Sequence, residues 1–176
     1  MTNSKIKMFL PSLLIVVGLL LIAYPTVLYI QARMEQRQLL ADFELEIGQV
    51  DVGGDEYPVW HEWPNTKLEI PKINVEVMVV EVEDLDVFER RANFPPGHYP
   101  ETAFPGEVGN VAIAGHRTGP ANYFKHLDSL EEGDKIYLHT PLVSYVYRVE
   151  EVFIVDRDDW SVIKDTDYPA LTLTTC

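Results

Sequence analysis

The chain has 176 residues, 47% of them hydrophobic, a single cysteine and a formal net charge of −14. That size and apolar content suit one globular domain plus an accessory segment, and a lone cysteine excludes an intrachain disulfide, so stability must come from the core. The acidity repels phosphate backbones, and with neither a basic stripe nor a glycine-rich phosphate loop the composition argues against nucleic-acid binding.

Residues 8–32 carry no charge. Within them, residues 9–30 are apolar enough, despite Pro11, Gly18 and Pro25, to cross a hydrocarbon core of about 30 Å as one transmembrane helix. A cleaved signal peptide is the competing reading; the run is long for its apolar region and lacks a small-x-small cleavage site, so an uncleaved anchor is favoured. Lys5, Lys7, Arg33 and Arg37 against Glu35 make the first 37 residues locally +3, leaving −17 for the remainder. Those cations flank both ends of the span and nearly balance. A short cytoplasmic tail (1–8) and an extracytoplasmic domain fit an anchor with an acidic domain behind it.

Residues 31–47 contain helix formers with a loose apolar stripe, Met34, Leu39, Leu40, Phe43 and Ile47, which predicts a short juxtamembrane helix acting as a spacer. Gly53-Gly54, Pro58 and Pro64 mark a linker that completes a segment over 31–66, with Tyr57, Trp60 and Trp63 expected to pack onto the domain.

From residue 67 the pattern is mainly β. Leu68-Glu69-Ile70 and the β-branched run 75–82 predict strands, 84–91 a short helix, 94–106 a Pro/Gly-rich loop, and 108–114 a buried strand delivering His116 at its end. One or two helical turns are expected in 120–129, a strand in 135–140 after the turn Glu131-Glu132-Gly133-Asp134, an alternating strand in 144–155, a short helix or turn in 158–164, and a last strand in 170–176. Short strands with few helices fit a closed, mostly antiparallel barrel or a sandwich, and periodicity does not choose between them.

Cys176 closes the run Thr172-Leu173-Thr174-Thr175-Cys176, and Gly115-His116-Arg117 lies 60 residues earlier. A thiol attacks carbonyls as thiolate and needs a partner that manages protons near neutrality, which makes His116 the candidate partner of Cys176. The bland alternative is a small buried Cys ending a strand and a satisfied turn histidine.

The residues around both positions resemble the sortase family of cysteine transpeptidases. The nucleophile signature Thr-Leu-x-Thr-Cys matches residues 172–176, and the strand end Ala112-Ile113-Ala114-Gly115-His116 matches the histidine signature. Leu68 to Ile73, Pro105 to Asn110, Leu130 to Asp134 and Tyr145 to Val149 follow in family order, so the resemblance covers residues 67–176. It implies an eight-stranded barrel whose last strand, and the arginine on it, would lie beyond residue 176. It also implies Cys176 as the nucleophile, His116 as the proton donor and acceptor, and transfer of a surface protein from a Leu-Pro-x-Thr-Gly-like sorting signal to a peptidoglycan or pilin amine at the cell membrane. Thr175, Ala114, Gly115 and His98 are the candidate substrate-binding residues. Arg117, adjoining the histidine, points to the opposite face of an extended strand and is not given the arginine role. Compact Gly-His-Tyr-Pro and Ala-Gly-His-Arg strings suggest class D or class E.

No His/Asp/Glu spacing makes a zinc site; no cofactor is expected, and acidic pairs such as Glu131-Glu132 read as turn chemistry rather than calcium ligands. A terminal α-carboxylate beside the thiolate would disfavour it, so the chain ending at residue 176 is expected to show little transpeptidation. Two other functions stay open: an inactive surface barrel that docks sorting-signal peptides, and a hydrolytic cysteine peptidase.

Overall fold

A computed structural model describes residues 2–47, 58–84 and 86–176. Tyr57 and the Gly53-Gly54 pair lie outside the described residues. A long helix, α1 (Thr2–Ile47), precedes seven strands: β1 (Thr66–Ile70), β2 (Val75–Glu81), β3 (Gly97–His98), β4 (Gly109–Ala114), β5 (Lys135–His139), β6 (Ser144–Arg148) and β7 (Pro169–Thr174). A one-turn helix, α2 (Asp86–Arg90), lies between β2 and β3. The strands form one nearly closed barrel in the order β6-β5-β1-β2-β3-β4-β7.

Side-chain alternation explains the wall. In β1, Thr66, Leu68 and Ile70 are fully buried while Lys67 and Glu69 are only partly so, the period of a strand with one face on the core. Leu68 and Ile70 meet Val75, Val77 and Val79 of β2, Ile136 and Leu138 of β5, and Val111 and Ile113 of β4, with Phe124 filling the centre. Strand β4 is buried at all six residues. Its odd positions, Val111 and Ile113, enter the core; its even positions, Ala112 and Ala114, face outward beneath Tyr99, Phe88 and Ile163, and only small residues leave room for that cover. The sheet is mixed, because β2–β3 and β4–β7 pair in parallel.

The parallel β4–β7 pair needs a crossover, and the chain between β6 and β7 supplies it. Asn110 pins that crossover: its side-chain amide donates to the carbonyls of Val162 and Lys164 at 3.0 and 3.1 Å, and its Oδ1 accepts from Thr172 at 2.9 Å. The expected strand over 144–155 is therefore shorter than its apolar content suggests, since β6 ends at Arg148 and Val152 to Val155 run exposed without strand pairing. Within the predicted loop 94–106 the chain forms β3, whose two residues bridge β2 to β4.

The spacer expectation for 31–47 is corrected by α1, which continues unbroken from the apolar segment and packs on the barrel. Ala32 and Phe43 are 1% and 3% exposed, whereas Met34 and Ile47 of the predicted stripe face outward. Between them Gln36 pairs with β2 as a strand would: its amide donates to the Met78 carbonyl at 3.0 Å and its Oε1 accepts from the Met78 N–H at 2.7 Å. Strand β2 meets β3 only at Val80 and Glu81, so among the described residues Met78 has no strand partner on that side and the glutamine satisfies both groups. The other end of α1 contains the one helix, among the described residues, long and apolar enough to cross a membrane.

Replacing Gln36 with Ala leaves the Met78 donor and acceptor to water and should lower stability by about 1 kcal/mol. Denaturant unfolding of the full chain in micelles measures this, and an unchanged midpoint would show that the helix contact contributes nothing to the fold.

Candidate active site

The neighbouring ends of β4 and β7 hold the two residues singled out by their chemistry. In the parallel register Ala114 lies opposite Thr174. Beyond the ladder the strands stay side by side, because Gly115 N–H donates to the Thr174 carbonyl at 3.0 Å and the Thr175 hydroxyl donates to the Gly115 carbonyl at 2.8 Å. The next pair along is His116 and Cys176. Thr174 faces outward with Ala114, as its 2.7 Å hydrogen bond to the Tyr99 hydroxyl shows.

Cys176 is exposed, the condition a reactive thiol needs. His116 is half-buried and held on three sides. Its ring meets the edge of Phe88 at a centroid distance of 5.4 Å, its carbonyl accepts from Phe124 N–H at 3.1 Å, and its Nε2 lies 3.0 Å from the Arg91 carbonyl oxygen. A carbonyl only accepts, so Nε2 carries the proton and Nδ1 is the nitrogen left to exchange one.

Of the other expected site residues, Thr175 spends its hydroxyl on the Gly115 carbonyl of the neighbouring strand. Ala114 lies against Tyr99 rather than open to solvent. Gly115 corrects the expectation that it leaves room for a ligand, because a Cβ there would come within 2.5 Å of the Phe124 ring; the glycine makes room for the core. His98 is also reassigned by its surroundings. It is 1% exposed, stacked on Trp63 at 4.0 Å, with Nε2 shared between the Ala103 carbonyl (3.1 Å) and the Thr102 hydroxyl (2.9 Å). No surface of it is left for a substrate. Trp63 thereby confirms the packing expected of the linker aromatics, and its indole N–H donates to the Val79 carbonyl.

Arg117 pairs with Asp128 at 2.8 Å, consistent with a side chain turned away from the site. Among the described residues no cluster of His, Cys, Asp or Glu could hold a metal ion. Glu131 and Asp134 are engaged by Lys72 and by their own turn.

Tyr99 is the site residue that sequence reasoning passed over. Burial pushes its hydroxyl above the ordinary tyrosine value, the Thr174 bond opposes this, and negative charge at Cys176 adds to it. The hydroxyl therefore stays protonated at neutral pH within electrostatic reach of Cys176. Its only sequence signal is its place directly after His98.

Two predictions follow from this packing. Gly115→Ala should cost about 1–3 kcal/mol through overpacking against Phe124, read as a lower denaturation midpoint, and a neutral substitution would mean that the ring yields freely. For His98, burial lowers the imidazole pKa to about 4. The unfolded chain takes up the proton near pH 6.5 while the folded chain refuses it until about pH 4, so the folded state loses about 3 kcal/mol as pH falls through that window. A His98→Gln variant should decline less steeply between those limits, and parallel pH profiles of the two proteins would refute the assignment.

The family model described as the sortase domain matches residues 68–176. Sortase D of Bacillus subtilis (strain 168) is 37% identical over 110 residues, covering 62% of this chain and 52% of its own. The chain thus spans about half the length of that relative. Sortase A of Bacillus anthracis is 30% identical over all of this chain and 89% of its own. Among solved structures, a Clostridium perfringens sortase D5 transpeptidase superposes with a TM-score of 0.63 at 25% identity, covering 80% of this chain and 88% of the other.

Proposed function

Because the chain belongs to the sortase family, we propose that it is a membrane-anchored cysteine transpeptidase in which Cys176 and His116 carry the acyl transfer. The observation that supports this reading is the parallel β4–β7 pairing, in register up to Ala114 and Thr174, two residues short of His116 and Cys176.

In the proposed reaction the Cys176 thiolate attacks the Thr carbonyl of a Leu-Pro-x-Thr-Gly-like sorting signal. The Thr–Gly C–N bond breaks, the imidazolium of His116 gives its proton to the departing glycine amine, and a thioester joins the Thr to Sγ. An amine from a peptidoglycan precursor or a pilin lysine then attacks the thioester, loses its proton to the imidazole, and releases the thiolate. Peptide bonds are exchanged with no net loss of acylating power, and water in place of the amine gives slow hydrolysis. The Tyr99 hydroxyl, kept protonated beside Cys176, is suited to donate to oxygen charge developing there.

The partners of this reading are surface proteins with a C-terminal sorting signal and a cell-envelope amine. Residues 9–30 anchor the chain in the membrane with the barrel outside, and the helix meets the barrel at Ala32, about 3 Å along its axis past Ile30. That short reach suits substrates that are themselves held at the membrane. Class D and class E are the assignments favoured by the string matches and by the likeness to sortase D.

A sorting-signal peptide bearing a thiol-reactive methanethiosulfonate group in place of its scissile bond tests the reading. It should form a disulfide with Cys176 about tenfold faster than its scrambled counterpart, and His116→Gln should slow the labelling. Equal rates for the two peptides would remove the sorting signal as substrate. Product analysis with added amine then separates a transpeptidase, which makes amide, from a peptidase, which makes acid.

A further inference from the structure

The segment of α1 just past the apolar span touches the barrel beside His116 through charged groups. Glu35 grips Arg91, its Oε2 and Oε1 lying 3.2 and 3.4 Å from Nη2, and the guanidinium lies over the Phe94 ring at 5.0 Å. The Arg91 carbonyl, just past the end of α2, uses both lone pairs: one takes Phe94 N–H at 3.0 Å and the other takes His116 Nε2–H at 3.0 Å. Glu35 in turn is seated by its neighbour Gln36, bonded to the Met78 backbone, and by Ala32, buried one turn earlier.

We propose that Glu35 and Arg91 are positioning residues for the acyl-transfer couple: α1, docked on the barrel, sets the tautomer and orientation of His116 through the Arg91 carbonyl. The inference rests on the proposed function of His116. Its physical basis is that a neutral imidazole has one N–H and places it where an acceptor is fixed. With Arg91 O held at Nε2, the lone pair is committed to Nδ1, the nitrogen that must take and return the proton shared with Cys176 and the amine. If the Arg91 backbone drifts, the N–H is free to move to Nδ1, and that fraction of molecules has no base facing the thiol.

Sequence alone hides this link. Glu35 and Arg91 are 56 residues apart, and the ion pair is exposed enough that its contribution to overall stability is small. Its effect is on geometry, so the readout must be local.

The test uses the full chain in micelles with 15N-labelled histidine. Wild type should show His116 as a single Nε2–H tautomer, identified by the loss of its signals in His116→Gln. Glu35→Ala and Arg91→Ala should give a mixture containing the Nδ1–H form and slow Cys176 labelling by the sorting-signal electrophile about three- to fivefold, with peptide affinity unchanged. Restoring the pair with reversed charge, Glu35→Arg with Arg91→Glu, should recover most of the single tautomer. The His98 signals report the barrel interior; if Glu35→Ala disturbs them, Glu35→Gln replaces it. An unchanged His116 tautomer in these variants overturns the positioning role, whatever the labelling rate. A tautomer that shifts without any change in labelling upholds the positioning role and instead defeats the assignment of His116 as the proton carrier for Cys176.

Discussion

The parallel pairing of β4 with β7 is the constraint on which the rest of the site depends. Two strands whose residues are 60 positions apart run in the same direction in register from Gly109–Pro169 to Ala114–Thr174, and the bonds of Gly115 and Thr175 extend that alignment. The candidate site lies where those two strands stop. Parallel strands cannot be joined by a tight turn, so the long crossover between β6 and β7 is obligatory, and Asn110 spends its whole side chain fastening it to the outer face.

The same outer face explains an otherwise odd feature, a strand buried on both sides. Ala112 and Ala114 are small because Tyr99, Phe88 and Ile163 cover them, and Phe88 reaches on to the ring of His116. Buried polar groups on the flanking loop are organised to the same end. The Thr102 hydroxyl donates to the Tyr99 carbonyl while accepting from Ala112 N–H and sharing the proton of His98, which ties β3, β4 and the following turn into one unit. Among the described residues the Nδ1 of His98 and the Nε1 of Trp60 remain buried without a hydrogen-bond partner, and burial of its ring is why the interior histidine resists protonation.

Helix α1 belongs to the barrel as much as to the apolar segment that precedes it. A glutamine acting as a strand, a buried alanine and a buried phenylalanine hold it where Glu35 can reach the loop beside His116. A rigid helix thus connects the span proposed to lie in the membrane with the wall of the candidate site, so the placement of one restricts the other.

Much of this was legible in the residues themselves, for stated reasons. Two-residue alternation marks β1, the β-branched run marks β2, the uncharged stretch ending at Ala32 marks the membrane-length part of α1, and the rarity of Cys176 together with its string and that around His116 pointed to the chemistry. Local patterns could not report contacts made across the fold. The two-residue β3 has no period to detect, the apolar run 152–155 looks like strand but pairs with none among the described residues, and His98 and Gly115 looked like groove residues until Trp63 and Phe124 were seen to occupy their surroundings. Residue type and spacing, in short range, determined which atoms were available to react and which segments could be strand or helix. Only the tertiary structure decided which strands became neighbours, which histidine faced inward and which carbonyl holds His116, because those outcomes depend on packing between residues tens of positions apart rather than on any one residue's preference.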